Sequence, residues 1–389
     1  MFDQSLPPTY DASGLAGVLP AVVRSLGVAE PAGGLDGPRD LLDLTPARRS
    51  VVVLIDGLGY DLLRRRSGHA PFLRGLLPSA YRLCAGFPST TATSMGTFGT
   101  GLPPGAHGLV GYEVLVPGED RLLNELSWEG GPDPRLWQPC QTLFERADAN
   151  GVTVTRIGPG FFDGSGLTNA ALRGGAFKAA HSLEARVDSA LKAVRASKRA
   201  LVYLYWGELD KVGHVHGCQS WEWGDELELI DRSLARLVAS VPSDTSVHIT
   251  ADHGMVDAPH ALRIDLAHDV ELAGGVRHVG GEPRSLQLYC EPGATSDVLV
   301  TWRERVGARA WVLSRDEAVG HGLFGPVSER VLPRIGDVIV AMRDNFAIVD
   351  SRTARPKLLA LLGLHGSLTP EEMAIPLLQA AARDSAHGP

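Results

Sequence analysis

The chain has 389 residues, 44% of them hydrophobic and 21% charged, enough apolar side chain to outweigh chain entropy and exclude disorder as the main state. Lys and Arg number 37 against 45 Asp and Glu, a net charge of −8. A basic surface for a nucleic-acid polymer is therefore excluded, and an anionic substrate has to be met locally.

In chain order, Met1 to Pro20 lacks the basic start and cleavage site of a secretory signal, and Leu15 to Val28 has helical apolar spacing. A polar connector rich in Gly and Pro runs from Glu30 to Arg49. Ser50-Val-Val-Val-Leu-Ile55 is an unbroken β-branched run, which predicts a strand buried on both faces of a parallel sheet. It ends in Asp56-Gly57 and leads into a predicted helix from Tyr60 to Arg66. Two more strands follow the same grammar: Ala200 to Trp206, running into Asp210, and Ser246 to Thr250, running into Asp252-His253-Gly254. Helices are predicted over Gln141 to Asn150, His181 to Ala196 and Trp221 to Ala239. This alternation predicts an α/β fold with a doubly wound, mostly parallel sheet, whose site lies past the carboxyl ends of its strands.

The texture then changes. Alternation over Ser285 to Cys290, a helix over Ser296 to Val306 and a strand over Ala310 to Leu313 predict a smaller α+β insertion, residues 258–344. The catalytic core is then 1–257 and 345–389, returning through Phe346 to Val349, with Ala381 to Pro389 expected to fray. Cys84, Cys140, Cys218 and Cys290 have no CxxC spacing, so neither a disulfide framework nor a thiolate zinc site is expected. No run reaches the roughly 18 apolar residues that span a bilayer. The expectation is a cytoplasmic protein with reduced thiols and no membrane partner.

Six residues past the strand ends carry the chemistry: Asp56, Asp210 and His214 at spacing i, i+4, Asp252 and His253 adjacent, and His365 in Gly363-Leu-His-Gly366. Singly they read as a cap, a surface pair or a turn. Together they point to two cations about 4 Å apart, with carboxylates for charge and imidazoles that favour zinc or manganese over magnesium. The hydroxyl-rich stretch from Pro88 to Thr100 runs into a helix whose start offers a nucleophile beside unpaired amides. His107, His181, His216, His260, His278 and His321 are expected to be structural or surface residues. His216 follows His214 by two and faces away from it on a helix. Arg284 is a candidate phosphate contact. Core packing is expected of Trp221 and Trp223 rather than base stacking.

The blocks Val51-Val-Leu-Ile-Asp56-Gly57, Phe87-Pro-Ser-Thr-Thr91, Thr100-Gly-Leu-Pro-Pro-Gly-Ala-His107-Gly, Asp210-Lys-Val-Gly-His214, Ala251-Asp252-His253-Gly254 and Leu364-His365-Gly-Ser367 together resemble the alkaline phosphatase superfamily. Their order and chemistry are closest to its nucleotide pyrophosphatase/phosphodiesterase branch. The resemblance implies one metal on Asp210, His214 and His365, and a second on Asp56, Asp252, His253 and the nucleophile oxygen. It places the nucleophile at Thr91, with Thr90 the competitor, and implies a phosphothreonine intermediate and a nucleotide diester as substrate. The branch carries a phosphate-contacting Asn where this chain reads Leu109-Val-Gly-Tyr112-Glu113; Tyr112 or Asn124 is the expected substitute, and Arg284 is placed at a distal phosphate. Gly108-Leu-Val-Gly-Tyr112 and Thr369-Pro-Glu-Glu-Met373 look similar to actinobacterial phosphodiesterases that degrade cyclic di-AMP, which makes cyclic di-AMP and its linear dinucleotide the first candidates. A phosphomonoesterase or phosphonate hydrolase with the same metals, and a non-catalytic nucleotide sensor, are the alternatives. Oligomeric state is not legible.

Overall fold

A computed structural model describes residues 3–29 and 42–381. Most of the connector from Glu30, and the residues after Ala381 that were expected to fray, lie outside the described residues. The centre is a seven-stranded sheet. In chain order its strands are β1 (Arg49–Ile55), β2 (Tyr81–Cys84), β3 (Thr153–Gly158), β4 (Ala176–Ala179), β5 (Ala200–Trp206), β6 (Thr245–Thr250) and β11 (Ala374–Ala381). Their spatial order is β2-β11-β6-β1-β5-β3-β4. β1 pairs in parallel with β5 and β6, and β3 in parallel with β4 and β5, while β11 runs antiparallel to β2 and β6. The α/β expectation holds. β2, β3, β4 and β11 were not expected as strands.

Val51 to Ile55 are wholly buried, with Val202, Leu204, Val247, Ile249 and Leu378 beside them, as an unbroken apolar run demands when helices cover a sheet. Helix α3 (Leu183–Ala196) starts at Ser182, whose hydroxyl accepts from the Ala185 amide, and packs on β1, β3 and β5. Helix α5 (Trp221–Ser240) starts in the same way at Ser220 and packs on α3. At its start Trp223 enters the core, as expected, but Trp221 is 70% exposed. Residues two apart on a helix point to different sides. Cys84, Cys218 and Cys290 are buried, and all four cysteines are unpaired.

A second, antiparallel sheet of four strands comprises β7 (Val276–Glu282), β8 (Ser285–Cys290), β9 (Ala310–Ser314) and β10 (Val338–Met342), ordered β7-β8-β10-β9. Helix α6 (Thr295–Val306) packs on it and brings Trp302 into a separate apolar cluster with Leu288, Val338 and Val340. Trp311, Leu313, Ile339 and Ala341 join the main core. Period-two alternation thus feeds two cores from one sheet.

His248 sits in β6 with both ring nitrogens buried and unpartnered, and burial pulls its pKa from 6.5 down to about 4. Above pH 6.5 the ring is neutral folded or unfolded and costs nothing in pH dependence. Between pH 6.5 and 4 the unfolded chain binds a proton that the folded chain refuses. Stability falls across that window by on the order of 3 kcal/mol, then levels off. In urea titrations His248→Val should flatten this part of the stability–pH curve. An unchanged slope would show that the acid sensitivity comes from elsewhere.

Candidate active site

Asp56 stands just past β1, on a turn that needs Gly57. Its φ is +72°, and a Cβ there would lie 3.2 Å from Asp210. Asp252 and His253 follow β6 after Ala251. Asp210 and His214 occupy one face of helix α4 (Glu208–His216), with Oδ2 and Nε2 3.2 Å apart. His365 arrives on the loop before β11, and its ring stacks on that of His253 at 3.8 Å. Thr91 begins α2 (Thr91–Thr100), and its hydroxyl lies 3.3 Å from His253 Nε2.

These residues form two sets. In each of them, Asp210/His214/His365 and Asp56/Asp252/His253, one ligand atom per residue lies within 4.8 Å of the others. The ring orientations carry the chemical information. Nδ1 of His214 donates to Gly363 O at 2.7 Å, Nδ1 of His253 to Gly254 O at 3.0 Å, and Nδ1 of His365 to Ser89 O at 2.9 Å. A carbonyl only accepts, so all three rings carry the lone pair on Nε2 when neutral. Nε2 of His253 then faces Asp56 Oδ1 at 3.4 Å and Asp252 Oδ2 at 3.5 Å. Asp56 Oδ1, Asp210 Oδ1 and Asp252 Oδ2 are buried and without a hydrogen-bond partner. Acceptors facing acceptors in a dry pocket fit divalent cations and little else.

The electrostatics agree. Burial, then Asp252 and Asp210, push the Asp56 carboxyl well above the usual range, and burial and Asp210 raise Asp252 to about 7. Burial works against Asp210 too, but His214, His365 and His253 outweigh it and hold the carboxyl low. Burial disfavours the charged His214, yet Asp210 raises its pKa to about 9. Such a concentration of buried acid is what bound cations neutralise.

Three residues that the sequence did not single out complete the site. The Tyr205 hydroxyl donates a short hydrogen bond to Asp56 Oδ2 and orients that carboxylate. Phe162 packs on Tyr205 at 5.4 Å and on Phe161 at 4.8 Å, and Phe161 is 71% exposed. Glu282, at the end of β7, places Oε2 3.5 Å from His365 Nδ1 and leaves Oε1 buried and unpartnered. Burial pushes its carboxyl well up, against the hydroxyl of Thr90 and the charge of His214. Gly366, at φ +126°, leaves it room: a Cβ there would meet the Glu282 side chain at 2.9 Å.

Of the expected phosphate contacts, Tyr112 is near enough to Glu282 to feel its charge, and burial first of all raises its pKa, so it is a phenol donor. Asn124 turns its oxygen to the amides of Leu126 and Ser127, at 3.0 and 2.9 Å, and its side chain also meets Tyr112 and Glu113. It is a turn residue. Arg284 corrects the reading more sharply. It is 0% exposed, with Nε and Nη2 on Glu372 at 3.0 and 2.6 Å and further bonds to backbone carbonyls. It locks the β7–β8 turn to the loop after His365 and has no face for a ligand. His216 pairs with Glu222 at 3.3 Å, and His278 with Asp120 at 2.5 Å.

A mostly parallel sheet with two carboxylate–imidazole sets past its strand ends and a helix-borne hydroxyl between them has the architecture of the alkaline phosphatase superfamily. Murine ectonucleotide pyrophosphatase/phosphodiesterase 5, as its inactive threonine-to-alanine variant in complex with AMP, superposes with a TM-score of 0.70 at 18% identity, over 86% of this chain and 88% of that one. Phosphonoacetate hydrolase from Sinorhizobium meliloti in complex with phosphonoacetate gives 0.66 at 18%, over 88% and 92%. The chain belongs to the type I phosphodiesterase/nucleotide pyrophosphatase family, whose model matches residues 50–368. An uncharacterized pyrophosphatase/phosphodiesterase of Schizosaccharomyces pombe is 25% identical over 227 residues, which is 53% of this chain and 44% of that protein. The chain thus spans less than half the length of this curated relative. No helix among the described residues is long and apolar enough to cross a membrane.

Proposed function

We propose that the chain hydrolyses a nucleotide phosphodiester, with Thr91 as nucleophile. Asp210, His214 and His365 would hold one divalent cation, and Asp56, Asp252, His253 and Thr91 the other. The observation that carries this is the pair of sets with unpartnered oxygens and inward Nε2 lone pairs flanking one hydroxyl. When bound, two such cations lower the pKa of a coordinated hydroxyl or water and neutralise charge on a reacting phosphate. Thr91 attacks phosphorus from the start of α2, where the amides preceding Ser94 are free to receive phosphate oxygens; the Ser94 amide is the first bonded within the helix, to Thr90 O at 2.9 Å. The alcohol leaves, and water then cleaves the phosphothreonine. Thr90 suits the role less well, because it is buried against Glu282. Tyr112 stands where the branch has its Asn and offers a neutral donor.

The nucleotide class is supported by the aromatic group of Phe161, Phe162 and Tyr205 beside Asp56, which offers ring faces to a base, and by the AMP held by the murine neighbour. Residues 258–344 act as a cap on the core formed by 1–257 and 345–389. Glu282 reaches His365 from this segment, and Gln287 bonds Val110 O, in the loop leading to Tyr112, at 2.7 Å. Zinc and manganese both suit the ligand set. The unpaired cysteines accord with a cytoplasmic setting, where cyclic di-AMP and its linear form are the first substrates to test. Incubation with cyclic di-AMP, linear dinucleotide, a phosphomonoester and phosphonoacetate decides the class. Release of AMP from the dinucleotides is expected. Turnover of the monoester or of phosphonoacetate alone would replace a diesterase by one of the other hydrolases, and turnover of none would leave a sensor.

A further inference from the structure

Among the described residues five arginines are buried: Arg156, Arg173, Arg186, Arg284 and Arg334. Four are satisfied. Arg173 bonds Glu145 and several carbonyls, Arg186 bonds the carbonyls of Ala180, His181 and Tyr205, Arg284 bonds Glu372, and Arg334 bonds Gly108 O and Trp137 O. Arg156 differs. It is 9% exposed, its Nε is buried without a partner, and no hydrogen bond or ion pair to its guanidinium occurs among the described residues. Its ring contact is Phe177, 5.7 Å from the guanidinium carbon. Burial opposes its charge more than exposed Asp163 favours it.

The position of this cation is informative. In register, Arg156 of β3 lies opposite Tyr203 of β5 and Phe177 of β4, so the three share a face of the sheet. Tyr205, two residues beyond Tyr203, lies on the same face and donates to Asp56. Phe162 closes the gap: a Cβ on Gly158 would meet Phe177 at 3.5 Å and Phe162 at 3.6 Å. An aromatic surface therefore runs from the candidate cation site to an unsatisfied guanidinium. The β1-to-β3 separation is two strand spacings, about 10 Å.

We propose that Arg156 is the anion-binding end of a second subsite, which takes a further phosphate group of the substrate while the scissile phosphate lies beside Thr91. This rests on the phosphodiesterase reading. A buried full charge with free donors calls for an anion; a neutral base edge would satisfy the hydrogen bonds and leave the charge uncompensated. The planar fork of a guanidinium fits two phosphate oxygens at once. Adjacent phosphates of a dinucleotide, with a base stacked between them on Phe162, match the layout.

The test uses two substrates that differ by one phosphate, the adenosine dinucleotide with and without a 5′-phosphate. The full chain loaded with zinc or manganese should prefer the phosphorylated form in kcat/KM. Arg156→Met keeps the stem and its ring contact and should reduce that preference by roughly 10- to 100-fold, chiefly through KM, the range expected for a lost charged hydrogen bond. Arg156→Lys should restore part of it. A preference ratio unchanged in Arg156→Met would overturn the subsite, as would equal losses on both substrates. Calorimetry separates the two hypotheses. Adenosine 3′,5′-bisphosphate should bind more tightly than AMP to the parent and lose that advantage in Arg156→Met. If the parent cleaves neither dinucleotide, the phosphodiesterase reading fails, while the calorimetric difference still decides for or against Arg156.

Discussion

Thr91→Ala should leave a folded, cation-binding protein that has lost on the order of 10³-fold or more of its diester turnover, several kcal/mol of transition-state stabilisation. Thr91 is only partly buried and occupies the first turn of α2, where alanine is well tolerated, so the fold has no reason to suffer. Its hydroxyl is 3.3 Å from His253 Nε2 and lies at the amide-rich helix start. Thr90→Ala deprives Glu282 of a hydroxyl partner and should cost no more than about tenfold, the worth of one lost hydrogen bond. Rates on a chromogenic nitrophenyl diester, with circular dichroism as the control for folding, check both. A dead Thr90→Ala beside a normal Thr91→Ala would move the nucleophile by one residue.

Chelation should abolish turnover and lower the melting temperature by about 5–15 °C, and zinc or manganese should restore both. The motive is the three buried carboxylate oxygens without partners, and the Asp56 and Asp252 carboxyls whose pKa values are driven up by burial first and by neighbouring carboxylates second. Removing cations leaves these groups to repel or to take up protons. Asp210→Asn and His365→Ala should each reduce metal content, measured by mass spectrometry. His216→Ala and His278→Ala should not, since those rings pair with Glu222 and Asp120 away from both sets. Full activity in metal-free protein would sink the two-cation reading. Metal loss in His216→Ala equal to that in His365→Ala would show that its helix face had been misjudged.

What could be read from sequence follows from how strongly each segment declares its burial. β1 and β5 are nearly unbroken apolar runs, as a doubly covered sheet demands, and β6 carries Val247 and Ile249 between polar residues that are themselves mostly buried. The polar residues just past them could be grouped because the fold class fixes where strand ends converge. β3 escaped notice because Thr153-Val-Thr-Arg156-Ile-Gly158 mixes polar residues into a central strand, and one of those is the arginine left without a partner. β11 escaped because it contains Pro376, which argues against a strand inside a sheet. Glu282 and Arg284 share a Gly-Gly-Glu-Pro-Arg turn that reads as an exposed, anion-seeking loop. Tertiary packing reversed both: Glu282 enters the site, and Arg284 is buried on Glu372, 88 residues away. A partner that distant leaves no local pattern.

The strand order has a temporal meaning. β11, the final strand of the described chain, is not an edge; it lies between β2 and β6, and the loop before it carries His365. During synthesis, at roughly 5–20 residues per second, β6 emerges more than a hundred residues before its neighbour. Until then it offers an open edge to whatever strand is nearby, another nascent chain included. The Asp210/His214 pair likewise waits for its third member. A chain stalled or clipped before Ala374 would be sticky as well as incomplete. The intervening four-stranded sheet has a core partly its own on which to condense while the ribosome finishes the rest.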